Sequence, residues 1–282
     1  MQIHVFVPLV TYPDADSDGI VGQAVSLAAG LGAALHVLAV NADIPDVSNV
    51  LSSFLLNTPE MIRQAEATSR AKGNHLIALF EAEARAADVA ITTASVTAPL
   101  TLLAETAVTR ARYHDLVFVG CDTGRPMSQS TAEAMIFGAG RPTILLPETP
   151  ASAGVPAIPD HVAIAWDGTR VAARAVGDAL PFLTRAKQIS VITVVDEKPL
   201  KEKNAGEQLA EGLRSRGLNA RAITARSNGR LISESLQQTA REEGCQLLVM
   251  GGYGHSRIRD FVLGGATRGV LSDLAMPVLI SH

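Results

Sequence analysis

Residues 245–274 read Cys-Gln-Leu-Leu-Val-Met-Gly-Gly-Tyr-Gly-His-Ser-Arg-Ile-Arg-Asp-Phe-Val-Leu-Gly-Gly-Ala-Thr-Arg-Gly-Val-Leu-Ser-Asp-Leu. The apolar run Leu247–Met250 predicts a buried strand, and the pattern from Val270 to Leu274 predicts a helix. Between them lie Gly251, Gly254, Gly264 and Gly265, with His255, Arg257, Arg259 and Arg268 nearby. A strand that opens into glycines and then into a helix start presents main-chain N–H groups to an anion. Polyphosphate is the guest that this chemistry suits.

The plan of this stretch occurs twice. His114-Asp115-Leu116-Val117-Phe118-Val119-Gly120 corresponds to Cys245–Gly251, and the closing run Arg141–Pro147 corresponds to Met276–Ile280. Opening strands at 3–10 and 160–166 each lead to an alanine-rich helix, Gly22–Ala29 and Ala172–Leu180, and then to β-rich runs, Leu35–Val40 and Ile189–Val195. Pro147-Glu148-Thr149-Pro150-Ala151-Ser152-Ala153-Gly154-Val155-Pro156 has linker composition and puts the boundary near residue 150. The strands are continuous apolar runs alternating with helices, the mark of parallel sheets covered on both faces. Two tandem doubly wound α/β domains are expected, 1–148 and 158–282, the first carrying an extension over about 41–65 with helical signals at Pro59–Ile62.

Composition excludes several classes. A net charge of −4 and 4% aromatic residues argue against nucleic-acid binding. No apolar run is long enough to span a bilayer, and Met1–Val7 reads as a first strand rather than a signal peptide, so a cytoplasmic protein is expected. Cys121 and Cys245 lie in or beside apolar runs without ligand spacing and read as buried small hydrophobes. His36, His75, His114 and His161 are scattered without ligand spacing, so no metal site is expected.

In open parallel sheets ligands sit beyond the carboxyl ends of strands where strand order reverses. The turn Trp166-Asp167-Gly168-Thr169 follows the second half's first strand, so Asp167 would share a crevice with Gly251–Gly254 if those strands are neighbours. Asp167 can equally be a helix N-cap. The glycine loop is neither Gly-x4-Gly-Lys-[Ser/Thr] nor Gly-x-Gly-x-x-Gly.

The tandem plan and the pattern Gly251-x2-Gly254-x9-Gly264 resemble the universal stress protein family in its two-domain form. That resemblance implies five-stranded sheets in the order 3-2-1-4-5, of the adenine nucleotide alpha hydrolase-like kind, and binding of ATP with or without Mg²⁺. By resemblance, Asp167 and Val194 line the nucleoside pocket, and Met250, Gly251, Gly254, Gly264, Gly265 and Ala266 hold ribose and phosphates. As a lone loop histidine, His255 reads as a phosphate contact or a solvated residue, and Thr267 keeps the family's hydroxyl position and can cap the next helix. Gly265 stands where ATP-binding members usually have Ser or Thr, a loss of roughly 1 kcal/mol by the net value of one hydrogen bond.

The first half departs further. Its loop reads Gly120-Cys121-Asp122-Thr123-Gly124-Arg125-Pro126, with Thr123 in place of the second glycine, and Thr11-Tyr12-Pro13-Asp14 follows its first strand with a displaced acidic residue. This half is expected to be intact but degenerate for nucleotide. The expected function is a non-catalytic, nucleotide-responsive stress protein whose paired halves also allow a homodimer. A slow ATPase, an adenylyl-handling enzyme and an interaction module with a relict site are the alternatives.

Overall fold

The computed structural model describes residues 2–45, 57–148, 157–196, 202, 204–252 and 265–282. In the N-terminal half the order is β1 (His4–Val10), α1 (Gly19–Leu31), β2 (Ala34–Asp43), α2 (Thr58–Ala86), β3 (Ile91–Pro99), α3 (Leu103–Ala111), β4 (Leu116–Cys121), α4 (Pro126–Gly138) and β5 (Thr143–Pro147). The C-terminal half follows with β6 (His161–Ala165), α5 (Arg170–Asp178), α6 (Leu180–Leu183), β7 (Gln188–Val194), α7 (Ala205–Arg214), β8 (Ala220–Ala225), α8 (Ile232–Glu242), β9 (Leu247–Gly251), α9 (Gly265–Ser272) and β10 (Val278–Ser281).

The strands form one ten-stranded sheet in the order β3-β2-β1-β4-β5-β10-β9-β6-β7-β8. Each half therefore runs 3-2-1-4-5 with parallel neighbours, and the fold class expected from the repeat is the one observed. The closing strands, which strand order alone would leave as edges, pair with each other antiparallel, Leu145 opposite Val278 and Thr143 opposite Ile280. That pairing satisfies main-chain groups that an open edge would leave for a foreign strand. The outer edges of the sheet are β3 and β8.

Period-two alternation sends successive side chains to opposite faces. Val5, Val7 and Leu9 pack with α1, α2, α5 and α7 on one face, through residues such as Ile20, Phe80, Val176 and Leu213. Phe6, Val117 and Val119 pack with α3, α4, α8 and α9 on the other, through Ala107, Met135, Leu236 and Val270. Both apolar layers continue across the seam between halves. The signals at Pro59–Ile62, expected to mark a short extension, open a helix of 29 residues that buries Ser69, Gly73, Leu76, Phe80 and Ala84.

Among the described residues no helix is long and apolar enough to cross a membrane. His36 and His114, which look scattered in sequence, meet His4 at the amino ends of β1, β2 and β4. His4 Nδ1 lies 2.7 Å from His36 Nε2, and the His36 and His114 ring centroids are 4.7 Å apart. Parallel register explains this: His36 stands opposite Phe6, two residues along from His4. Both Cys121 and Cys245 are buried, and burial pushes each thiol up to about 12.

Candidate functional site

In the C-terminal half β6 lies between β7 and β9, so the strand order reverses there. The adjacency of β6 and β9, Ala163 opposite Leu248, sets the carboxyl ends of the two strands side by side. Asp167 stands in the first loop and Gly251 at the end of the second strand, as the crevice expectation requires.

Local chemistry shapes the first loop. Asp167 Oδ1 accepts from the Thr169 N–H at 3.0 Å and from the Thr169 hydroxyl at 2.7 Å. Thr169 Oγ1 in turn accepts from the Ala172 N–H at 3.3 Å and caps α5. Asp167 therefore neither caps the helix nor is buried; it braces the capping residue from an exposed position. Gly168 adopts φ +73°, a conformation that glycine takes at little cost.

Gly251 is packed where a side chain cannot fit. A Cβ placed there would stand 2.6 Å from the Ala172 nitrogen and 2.6 Å from the Val171 carbonyl carbon, both main-chain atoms at the start of α5. Its missing side chain thus lets strand and helix approach. The Met250 side chain is buried in the α8/α9 face of the core, which leaves only its main chain to meet a ligand.

On that same face Ala165, Val194, Ile223, Ile232 and Ala266 are half-buried at or near the carboxyl ends of β6–β8 and the starts of α8 and α9. Together they make an apolar floor beside the reversal point. Val194 and Ala266 were expected from sequence; Ala165, Ile223 and Ile232 were not, because their strand and helix ends are far apart along the chain. Just beyond Val194, Asp196 accepts the Ser227 N–H at 2.7 Å and the Asn228 N–H at 3.0 Å, ties the loops after β7 and β8, and is held below the usual carboxylate range by those two bonds.

Gly265 is the first residue of α9 and is exposed, and among the described residues no atom lies within 4 Å of where its Cβ would be. Thr267 lies inside the first turn and is buried, so it does not cap the helix as expected; the helix starts two residues earlier. Gly269 packs α9 on α8 against Ser233. Gly254, His255 and Gly264, expected phosphate contacts, lie outside the described residues.

The equivalent point in the N-terminal half carries a buried charged network, and a cavity lined by Pro8, Val10, Val40, Leu103, Met127 and Thr131 lies at the same strand ends. Asp16, rather than Asp14, is the acidic residue that turns inward: its Oδ2 accepts the Val10 N–H at 2.8 Å, and burial followed by the nearby Glu148 raises its pKa from 3.8 to about 8. Arg125 pairs with Asp122 through Nε at 2.9 Å and with Glu148. The Asp122 carboxyl is held below its ordinary value by the Gly124 N–H and then by Arg125. Among the described residues no group of three or more His, Cys, Asp or Glu is disposed to hold a metal ion.

Residues 159–282 match the model of the universal stress protein family. No curated protein matches the chain. The crystal structure of a universal stress protein from Archaeoglobus fulgidus DSM 4304 is similar over 99% of this chain and 95% of its own, at 14% identity and a TM-score of 0.70. A functionally unknown protein from Pseudomonas aeruginosa PAO1 is similar over 99% of this chain and 92% of its own, at 15% identity and a TM-score of 0.53. Likeness at such identities is likeness of fold. A universal stress protein in complex with cAMP is 20% identical over 44% of this chain and 97% of its own, and its TM-score of 0.33 carries nothing about the ligand here. The reversal point with its apolar floor thus lies within residues 159–282, the part of the chain that matches the universal stress protein family model.

Proposed function

We propose that the C-terminal half binds ATP, alone or with Mg²⁺, and that occupancy biases the conformation or assembly of the whole chain, making it a non-catalytic regulator in a stress response. The observation that carries this reading is the adjacency of β6 and β9, which sets the Asp167 turn beside the end of β9 at the point where strand order reverses. The half-buried floor of Ala165, Val194, Ile223, Ile232 and Ala266 suits a nucleoside base. The first turn of α9, open at Gly265, suits phosphate, because main-chain N–H groups and the helix dipole favour negative charge there. Asp167 Oδ1 is used by Thr169, which leaves Oδ2 for a ribose hydroxyl or a cation.

The domains of this reading are 1–148 and 158–282, with the first not binding nucleotide. Pairing of β5 with β10 uses both closing strands within one chain, so a homodimer would form through another surface. A ligand moves such an equilibrium only by its difference in affinity between the two states.

Gly265 offers a test that spares the fold. An acidic residue at a helix N-terminus is tolerated or stabilising, yet it repels phosphate. Calorimetric titration of the full chain with ATP should show Gly265→Asp binding at least tenfold more weakly than wild type. Gly265→Ser, which supplies a hydroxyl donor, should bind about fivefold more tightly, from roughly 1 kcal/mol per hydrogen bond. Equal affinities for wild type and Gly265→Asp would remove α9 from the site. No ATP binding by wild type would leave an interaction module with a relict site, and sustained phosphate release would make it an enzyme.

A further inference from the structure

Pairing of β5 with β10 leaves β3 and β8 as the outer edges of the sheet, and the two edges are protected differently. An edge strand presents a row of unpaired main-chain N–H and C=O groups, which chains commonly blunt with shortness, charge or proline. β8 is six residues long, and its exposed Arg221 pairs with Glu243. β3 runs for nine residues, Ile-Thr-Thr-Ala-Ser-Val-Thr-Ala-Pro, with no charged side chain and its proline only at the end.

The register with β2 shows which groups of β3 are left over. The Leu35 N–H donates to the Ala90 carbonyl, and Leu35 stands opposite Ile91 in the parallel ladder. Main-chain polar groups alternate in direction along a strand. Thr92, Ala94, Val96 and Ala98 therefore bond to β2 through their main chain, and the N–H and C=O groups of Ile91, Thr93, Ser95 and Thr97 point away from the sheet. Among the described residues no strand pairs with that side. Thr92, Ala94, Ser95 and Thr97 are exposed, and their short side chains leave the edge approachable.

We propose that β3 is a dimerisation edge of this chain and that its partner is β3 of a second copy, antiparallel about a two-fold axis at Ala94. A two-fold sets a surface against itself, so a charged edge would meet its own sign, and this edge carries no charge. An axis at Ala94 sets Ile91 opposite Thr97 and Thr93 opposite Ser95. Every outward N–H is then used, and Pro99, which has none, falls outside the pairing. The two Ala94 methyl groups meet at a non-hydrogen-bonded position, where Cα atoms stand about 4.5 Å apart. The chain already joins its own halves by antiparallel pairing of closing strands, β5 with β10. Pairing at β3 requires nothing of the C-terminal half and stands whether or not that half binds ATP.

Sedimentation equilibrium of the full chain over a wide concentration range is the test. Wild type should form a dimer. Ala94→Lys and Ala94→Glu each bring like charges together on the axis at an exposed position, and each should weaken association roughly tenfold or more. An equimolar mixture of the two variants should pair again. Ala94→Cys, the mildest change, should form a disulfide between chains on oxidation, because about 4.5 Å lies within the Cα span of that bond. Cys121 and Cys245 are buried and give no background, and Thr224→Cys on the exposed face of β8 should stay unlinked. A wild type that is monomeric throughout leaves the edge to a strand of some other protein and overturns the proposal. So does a dimer that Ala94→Lys leaves intact, a mixture that does not re-pair, or equal cross-linking at positions 94 and 224. Should the charged variants not fold, the comparison of the two cysteine variants decides alone.

Discussion

The two halves carry the same strand order, and they differ at the point where that order reverses. In the C-terminal half the loop after β6 holds an exposed Asp167 that braces its own helix cap, and the first residue of α9 is exposed among the described residues. In the N-terminal half the same position is packed with Asp16, Arg125 and Glu148, two of them almost fully buried. One backbone plan thus carries an exposed acidic turn at one reversal point and a buried charged network at the other, and the choice rests on a few side chains rather than on topology. The feature kept in both halves, a glycine at the end of the fourth strand, answers to packing: Gly120 faces Ile20 of α1, and Gly251 faces Val171 and Ala172 of α5.

The buried network should make stability depend on pH in a way that the exposed turn does not. Asp16 has its pKa raised from 3.8 to about 8, so the folded chain retains a proton that the unfolded chain releases. Its contribution is fully present below about pH 4 and is lost as pH climbs to about 8, with a slope of up to about 1.4 kcal/mol per pH unit. Urea unfolding at several pH values should show this decline in wild type, reduced in Asp16→Asn. Parallel pH profiles for the two proteins would remove Asp16 as the cause.

A smaller but sharper contrast comes from cutting one partner in each half. Arg125→Met leaves the Glu148 carboxylate buried without its cation, and breaking a buried pair in that way costs about 3 kcal/mol. Asp167→Ala removes only bonds at an exposed turn and should cost under about 1 kcal/mol. Denaturant midpoints of the two variants measure the gap. Similar losses would mean that the crevices are not different in kind.

How far the sequence reveals this depends on the range over which each feature acts. Repetition of apolar runs and glycine-bearing turns is a pattern within one window, so both half-sheets are legible, while their strand order follows only from the family resemblance. The buried network at the N-terminal reversal point is not. Glu148 sits in a stretch whose Pro, Ser and Gly content reads as linker, yet its partners are Arg125, Ser128 and Ser17, up to 131 residues away. The histidine stack has the same cause, since parallel crossovers put neighbours on adjacent strands 32 residues apart in the case of His4 and His36. In the C-terminal site Asp167 and Gly251 are visible as residue types, but the apolar floor is assembled from ends of five elements. Thr267 shows the limit of local capping rules: the helix begins at Gly265, which leaves the threonine inside it.

The glycine at the end of the fourth strand provides the finest comparison, because its surroundings differ in stiffness. At Gly251 a new methyl would sit 2.6 Å from main-chain atoms of α5, which give way only if the helix moves. At Gly120 the nearest atoms are the Ile20 Cγ2 at 3.1 Å and the Glu148 side chain at 3.4 Å, which have rotational freedom. Overpacking costs about 1–3 kcal/mol, so Gly251→Ala belongs near the upper figure and Gly120→Ala near the lower. If the Gly251 variant also loses ATP affinity, Gly265→Asp separates the causes, since it leaves the β9–α5 contact untouched. A Gly120→Ala loss as large as that of Gly251→Ala would show that Glu148 is held as rigidly as backbone.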